Sequence, residues 1–187
     1  MHYSMLSPTN RYHGILQRLT YRSTWFILIL SAFMLEASAL YFQYGLELGP
    51  CIMCVYQRVA LFGVLFAGFL GVVSPHHPAT VFSGLFLWLY SAYQGLVLAL
   101  EHVEIQENPS PYYTCDVFPN FPQWLPLHEW LPSVFFPTGD CGEIAWSLFD
   151  ISMPQWMIIV FGCYLSVAVI VGALRLHLYY KTYKEKI

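Results

Sequence analysis

The chain has 187 residues, 57% of them hydrophobic and only 10% charged, with a net charge of −3. Soluble domains carry about a quarter charged residues, so this balance excludes a disordered chain or a coiled coil and argues against a water-soluble enzyme. It provides no basic excess for a nucleic-acid partner. A small polytopic membrane protein remains.

A bilayer core of about 30 Å takes roughly 20 mostly apolar residues as a helix. Four runs reach that length: Trp25–Tyr44, Val55–Val73, Ala79–Leu100 and Gln155–Leu174. The first carries one charge, Glu36, and the second one, Arg58; the other two carry none. Strand alternation is absent, so the expected fold is an all-α, four-transmembrane-helix bundle forming one integral membrane domain over 1–187. Its connections are a short loop at 45–54, a tight Pro-bounded turn at 74–78 and a long loop at 101–153. Orientation follows from the basic residues. Arg11, Arg18 and Arg22 precede the first span, Arg175, Lys181, Lys184 and Lys186 follow the last, and both the short and the long loop lack Lys and Arg. By the positive-inside rule both termini are cytoplasmic and both loops face outward. Trp25 and Trp156 then fall near opposite membrane faces, as interface anchors would. Arg22 and the apolar run ending in Ala37-Ser38-Ala39 also resemble a cleavable signal peptide, but the run continues to Tyr44 and Glu36 sits just before the supposed site.

Four of the five cysteines map to the outward side: Cys51 and Cys54 at the short loop, Cys115 and Cys141 in the long one. Thiols in an oxidising compartment pair, which suggests the bridges Cys51–Cys54 and Cys115–Cys141. A metal site is disfavoured, because there is one C-x-x-C and the other two cysteines are widely separated. Cys115–Cys141 reads most simply as a staple. Cys51-Ile52-Met53-Cys54 does not, because so short a loop adds little chain-entropy stabilisation and the spacing suits thiol exchange. Pro50 fits a helix start here, which places the pair at the positive end of a helix dipole, where thiolate is favoured. Arg58 lies one turn deeper on the same face. A charge inside a span is a functional candidate by default, against the simpler reading of an arginine that snorkels to the surface.

The segments PCIMCVYQRVALFG, WLYSAYQG, EH, TCD, FPQWLPLHEWLP, GDC and MPQW, in this order from about Glu36 to the end of the fourth span, resemble the bacterial disulfide bond formation protein B (DsbB) family of thiol:quinone oxidoreductases. Gln57 departs from the acidic residue that often precedes this arginine. The resemblance implies an inner-membrane enzyme with two periplasmic loops. It also implies catalytic cysteines Cys51, Cys54, Cys115 and Cys141, a quinone (ubiquinone or menaquinone) held near Arg58 and His102, and a DsbA-like periplasmic partner. Electrons would pass from the partner to Cys115, through Cys141 and Cys51, to Cys54 and the membrane quinone pool. Such a relay is known to keep the bacterial periplasm oxidising.

For the remaining polar residues the readings are simpler. Without the resemblance, His102 reads as an interface histidine satisfied by water. Glu36 reads as protonated or paired with Arg58. His76 and His77 read as solvated turn residues, and Cys163 as a buried, inert packing residue. The stretch Gln123–Phe136 is too short and Pro-broken to span, and is expected to lie along the membrane surface. The alternatives are a paralogue dedicated to a specialised DsbA-like partner and a non-enzymatic four-span scaffold of tetraspanin type, whose Cys-Cys-Gly signature is missing. A vitamin K epoxide reductase-like protein would place its membrane-edge C-x-x-C after the loop cysteines rather than before them.

Overall fold

The computed structural model describes residues 22–73, 77–108, 115 and 119–184. Arg11, Arg18, His76 and Lys186 lie outside the described residues, as does the side chain of Lys181. Among the described residues four helices are long and apolar enough to cross a membrane: α1 (Arg22–Gly45), α2 (Ile52–Val73), α3 (Pro78–Glu107) and α6 (Met153–Lys184), the last through His177. The expected four-helix membrane bundle is therefore present. Two single-turn helices, α4 (Leu127–Trp130) and α5 (Pro132–Phe135), and a minimal antiparallel hairpin of β1 (Ser147–Leu148) with β2 (Ile151–Ser152) interrupt the long connection. Phe149 and Asp150 form the hairpin turn, both with positive φ (55° and 61°), as a two-residue primed turn requires.

Local chemistry explains where the long helices begin. Pro78 opens α3 with a preset φ and no N–H to leave unpaired. Before α6, the Ser152 backbone N–H donates to Gln155 Oε1 at 2.9 Å, the return half of a capping box. The third span was expected to end at Leu100, but the helix continues for two further turns to Glu107. Its last turns hold because His102 and Ile105 are buried against the short loop, while Asn108 closes the end through its backbone N–H to the Glu104 carbonyl at 3.0 Å.

The helices pack in chain order, α1 on α2, α2 on α3 and α3 on α6. Glycines permit the close approaches. A Cβ on Gly71 would enter the Trp25 ring, and one on Gly95 would enter the Phe161 ring. Trp25, expected as an interface anchor, is instead 1% exposed. It sits edge-on to Trp88 with centroids 6.1 Å apart, and the Arg175 guanidinium lies 5.8 Å from its ring centroid. The notch left by the glycines of α2 draws the ring inward, where it buries more area than at a headgroup boundary. Trp156 is half-buried, with its Nε1 donating to the Leu148 carbonyl at 3.4 Å. Cys163, expected to be buried, is exposed. It shares an outward stripe of α6 with Ile159, Val167 and Ile170, the face that lipid covers.

The short and the long cysteine-bearing connections are fastened to each other. The Pro50 carbonyl accepts from the backbone N–H of Thr138 at 2.9 Å and of Gly139 at 3.1 Å. A Cβ on Gly139 would meet the Gly49 carbonyl oxygen, so only glycine allows this approach. Pro50 and Gly139 immediately precede Cys51 and Asp140-Cys141, so this contact sets where the two cysteine-bearing segments meet.

Candidate functional site

Cys51 is the N-cap of α2. Its carbonyl accepts from the Val55 N–H at 3.0 Å, and its Sγ accepts from the Cys54 backbone N–H at 3.2 Å. This is the place a serine hydroxyl takes at other helix starts. Cys51 is 3% exposed, and Cys54, one turn on, is half-buried. Both are thiols here, so the expected Cys51–Cys54 bridge is not part of this structure, whereas Cys115 and Cys141 are joined by a disulfide. Hydrogen bonding to Cys54, followed by burial, pushes the Cys51 thiol above the usual thiol range. Cys51, Cys141 and Ile105 share one buried cluster, against which Cys54 and Cys115 pack. The fold thus brings together all four cysteines singled out from the sequence.

Arg58 does not snorkel. It is 5% exposed, and its Nη1 donates to Gln43 Oε1 at 2.9 Å and to the carbonyl of Val134 in α5. Its Nε lies 3.8 Å from Glu36 Oε2 in a pair buried on both sides. Glu36 thus stands beside Arg58, as the paired reading expects, with no hydrogen bond joining the two at this separation. Gln43 was missed in the sequence, although it stands two helical turns from Glu36 on one face of an apolar span. Its Nε2 donates to the Ser133 carbonyl at 2.9 Å, and the Tyr44 hydroxyl donates to the same carbonyl at 2.6 Å. These polar groups of α1 and α2 pin α5 over the site.

His102 is 3% exposed and touches protein rather than water. Its Nε2 lies 3.6 Å from Cys51 Sγ, and its Nδ1 lies 3.3 Å from Gln57 Nε2. Gln57, read only as a departure from a pattern, thus orients the imidazole. Cys54, Arg58 and His102 line a cavity of about 180 Å³. Its walls include Leu35, Ala39 and Phe42 of α1 and Met153 and Met157 of α6, so it lies where the first and last helices face each other. Deeper in the bundle the Tyr164 hydroxyl donates to Ser31 Oγ at 3.0 Å and ties those two helices together below the cavity. On the outer side, the Asn120 N–H donates to the Tyr56 hydroxyl at 2.7 Å, and Tyr56 meets Phe121 edge-on at 5.7 Å. These contacts hold the chain beyond Cys115 against α2.

A membrane bundle that gathers four cysteines at one rim, two of them buried, beside an apolar cavity with a buried arginine, defines a membrane-embedded thiol oxidoreductase. Comparison with known proteins specifies which one. The family described as Disulfide bond formation protein DsbB matches residues 21–171. The chain is 54% identical over 151 residues to Disulfide bond formation protein B of Sodalis glossinidius, covering 81% of this chain and 85% of that one. It is equally identical over 151 residues to that of Aeromonas salmonicida, covering 81% and 87%. To that of Photorhabdus laumondii it is 53% identical over 150 residues, covering 80% and 88%. The chain belongs to the DsbB family and is an enzyme of the thiol:quinone oxidoreductase class that supports disulfide bond formation.

Proposed function

We infer that the protein re-oxidises a DsbA-like periplasmic dithiol carrier and passes the two electrons through its cysteine pairs to a membrane quinone. The observation that carries this reading is the buried cluster of Cys51 and Cys141, with Cys54 turned to the cavity. A carrier thiolate attacks Cys115, the Cys115–Cys141 bond breaks, and Cys141 leaves as thiolate. Cys141 attacks Cys51 of the oxidised inner pair, the Cys51–Cys54 bond breaks, and Cys54 is freed facing the cavity. The second carrier thiol releases Cys115, leaving the carrier as a disulfide. Cys115 then attacks Cys141, which restores the Cys115–Cys141 bond, breaks the Cys51–Cys141 bond and releases Cys51 as thiolate beside Cys54. Cys51 and Cys54 close to a disulfide by giving up two electrons and two protons, which a quinone bound in the cavity would accept. The carrier is itself a strong oxidant near about −120 mV, so a more oxidising, lipid-soluble acceptor is needed to regenerate it.

The residues present suit an apolar quinone. Leu35, Ala39, Phe42 and Met157 supply apolar walls, and the cavity lies between α1 and α6, through which a bilayer-dissolved molecule reaches it. Arg58 stabilises negative charge on Cys54 and on the acceptor oxygen in a low-dielectric site. His102 stands against Cys51 rather than deep in the cavity, placed to move a proton at that sulfur. The enzyme sits in a bacterial inner membrane as one integral domain, with both termini cytoplasmic and both cysteine-bearing connections periplasmic. Exposed Trp124, Trp130 and Leu131 dip α4, α5 and the chain before them into the interface. A scaffold with structural bridges gives no reason for a buried C-x-x-C beside an arginine.

The test is a Cys141→Ser variant mixed with reduced carrier. It should accumulate a mixed disulfide at Cys115, because the thiol freed by attack is gone. The wild type, given ubiquinone or menaquinone in detergent, should form one quinol per carrier oxidised. An adduct mapping to Cys51, or carrier oxidation without quinol, overturns the path.

A further inference from the structure

Cys51 Sγ, Cys54 Sγ and a ring nitrogen of His102 all lie within 4.8 Å of one another. A tetrahedral ion with bonds of about 2.3 Å to sulfur and about 2.0 Å to nitrogen holds those two ligands about 3.5 Å apart. The Cys51 Sγ to His102 Nε2 separation is 3.6 Å, the edge such an ion requires. The imidazole is also oriented from behind. Gln57 Nε2 lies 3.3 Å from Nδ1; turning this side-chain amide over, so that its oxygen accepts from an Nδ1–H, would leave the Nε2 lone pair facing the sulfurs, and metal binding selects that arrangement. All three ligands line the cavity, so a fourth position opens toward it. One C-x-x-C with no second pair argued against a metal in the sequence. The fold supplies the third ligand from α3, 48 residues beyond Cys54.

We propose that the dithiol form of this protein binds one thiophilic divalent cation of the zinc and cadmium class through Cys51, Cys54 and His102. On binding, both thiols lose their protons to solvent and no electrons move. Two thiolates and a doubly charged ion make a neutral centre, which an apolar pocket accepts more readily than a bare charge. The soft donor set excludes magnesium and calcium. The site exists only while the pair is reduced, because any disulfide at Cys51 or Cys54 removes a ligand. A bound ion caps Cys54 on its cavity side and holds the pair reduced. That consequence rests on the electron path proposed above, whereas binding itself does not.

The experiment titrates the full chain, reduced and kept anaerobic in detergent, with cadmium. The readout is the thiolate-to-cadmium charge-transfer absorption, with bound metal counted after gel filtration. One cadmium per chain is expected, with none in the protein carrying a Cys51–Cys54 disulfide. A Cys115→Ser/Cys141→Ser background removes the outer thiols and should leave the stoichiometry unchanged. His102→Ala should weaken binding by at least about tenfold. Because His102 is buried, His102→Gln provides a second variant that keeps a polar group without the imidazole, and it should weaken binding similarly. Unchanged affinity in both His102 variants, or loss of the band in the Cys115→Ser/Cys141→Ser background, overturns the site. Stoichiometric zinc should stop quinone-dependent turnover, and a chelator should restore it. A saturated site with turnover intact overturns the blocking role. A chain that binds cadmium yet never reduces quinone refutes the electron path and leaves the site standing.

Discussion

Arg58 is held by three groups at once: Glu36, Gln43 and the Val134 carbonyl. Replacing it therefore has two separable effects. Arg58→Met should slow the quinone half-reaction by about 10²–10³-fold, as loss of a preorganised charge donor does elsewhere, while single-turnover exchange of Cys115–Cys141 with the carrier stays near wild type. Arg58→Lys should be intermediate, because it keeps the charge and loses the planar fork. The same Arg58→Met change strands the Glu36 carboxyl and should lower stability by about 3–5 kcal/mol. Adding Glu36→Gln should recover much of that stability without recovering quinone reduction. Thermal unfolding and stopped-flow quinol formation on the four proteins of this cycle check both halves. Strictly additive stabilities would mean the pair at 3.8 Å carries no coupling.

At the scale of elements, the decisive contact is the one that joins the two outward connections at Pro50 and Gly139. Gly139→Ala places a methyl on the Gly49 carbonyl and must push Thr138 and Gly139 off the Pro50 oxygen. Exchange between the two cysteine pairs should slow by up to about a hundredfold, because thiol exchange needs the sulfurs in line. Attack of carrier on Cys115 should change little. Rapid quench with mass mapping of the disulfides separates the two steps, and equal slowing of both would point to a general loosening of the loop. The elements themselves were unevenly legible in the sequence. The four spans and the positions of Cys51, Cys54, Cys115 and Cys141 relative to them followed from runs of apolar residues and the placement of arginine and lysine. The end of α3 did not, because hydropathy reports where lipid stops, and a helix continues beyond that wherever protein covers it. The faces of the spans were equally hidden. A span that is apolar all round has no stripe to mark its packed side, so Trp25 was read as an anchor and Cys163 as core. Gln43 and Gln57 acquired roles only once Arg58 and His102 were placed beside them.

For the whole molecule, chain-order packing leaves α1 and α6 facing each other across the cavity, tied below it by Tyr164 and Ser31. Under the proposed function this is where a bilayer-dissolved acceptor would enter, past Ser38 and Ala39, the small side chains that α1 contributes to the cavity wall. Ala39→Trp should raise KM for quinone about tenfold or more while kcat at saturating quinone and the carrier half-reaction hold. A fall in kcat with KM unchanged would place the route elsewhere.

In the proposed path Cys51 carries electrons, and in the structure its sulfur also caps a helix. Its sulfur accepts the Cys54 N–H, one of the N–H groups that the first turn of α2 leaves without a helical partner, so in the proposed relay every electron pair that passes alters the charge and lone pairs available to that hydrogen bond. Redox state and helix fraying are therefore two readings of one equilibrium. By reciprocity, whatever tightens the first turn of α2 shifts the potential of the pair, and whatever sets the potential shifts the turn. On the proposed path the helix end is a conductor as much as a mount.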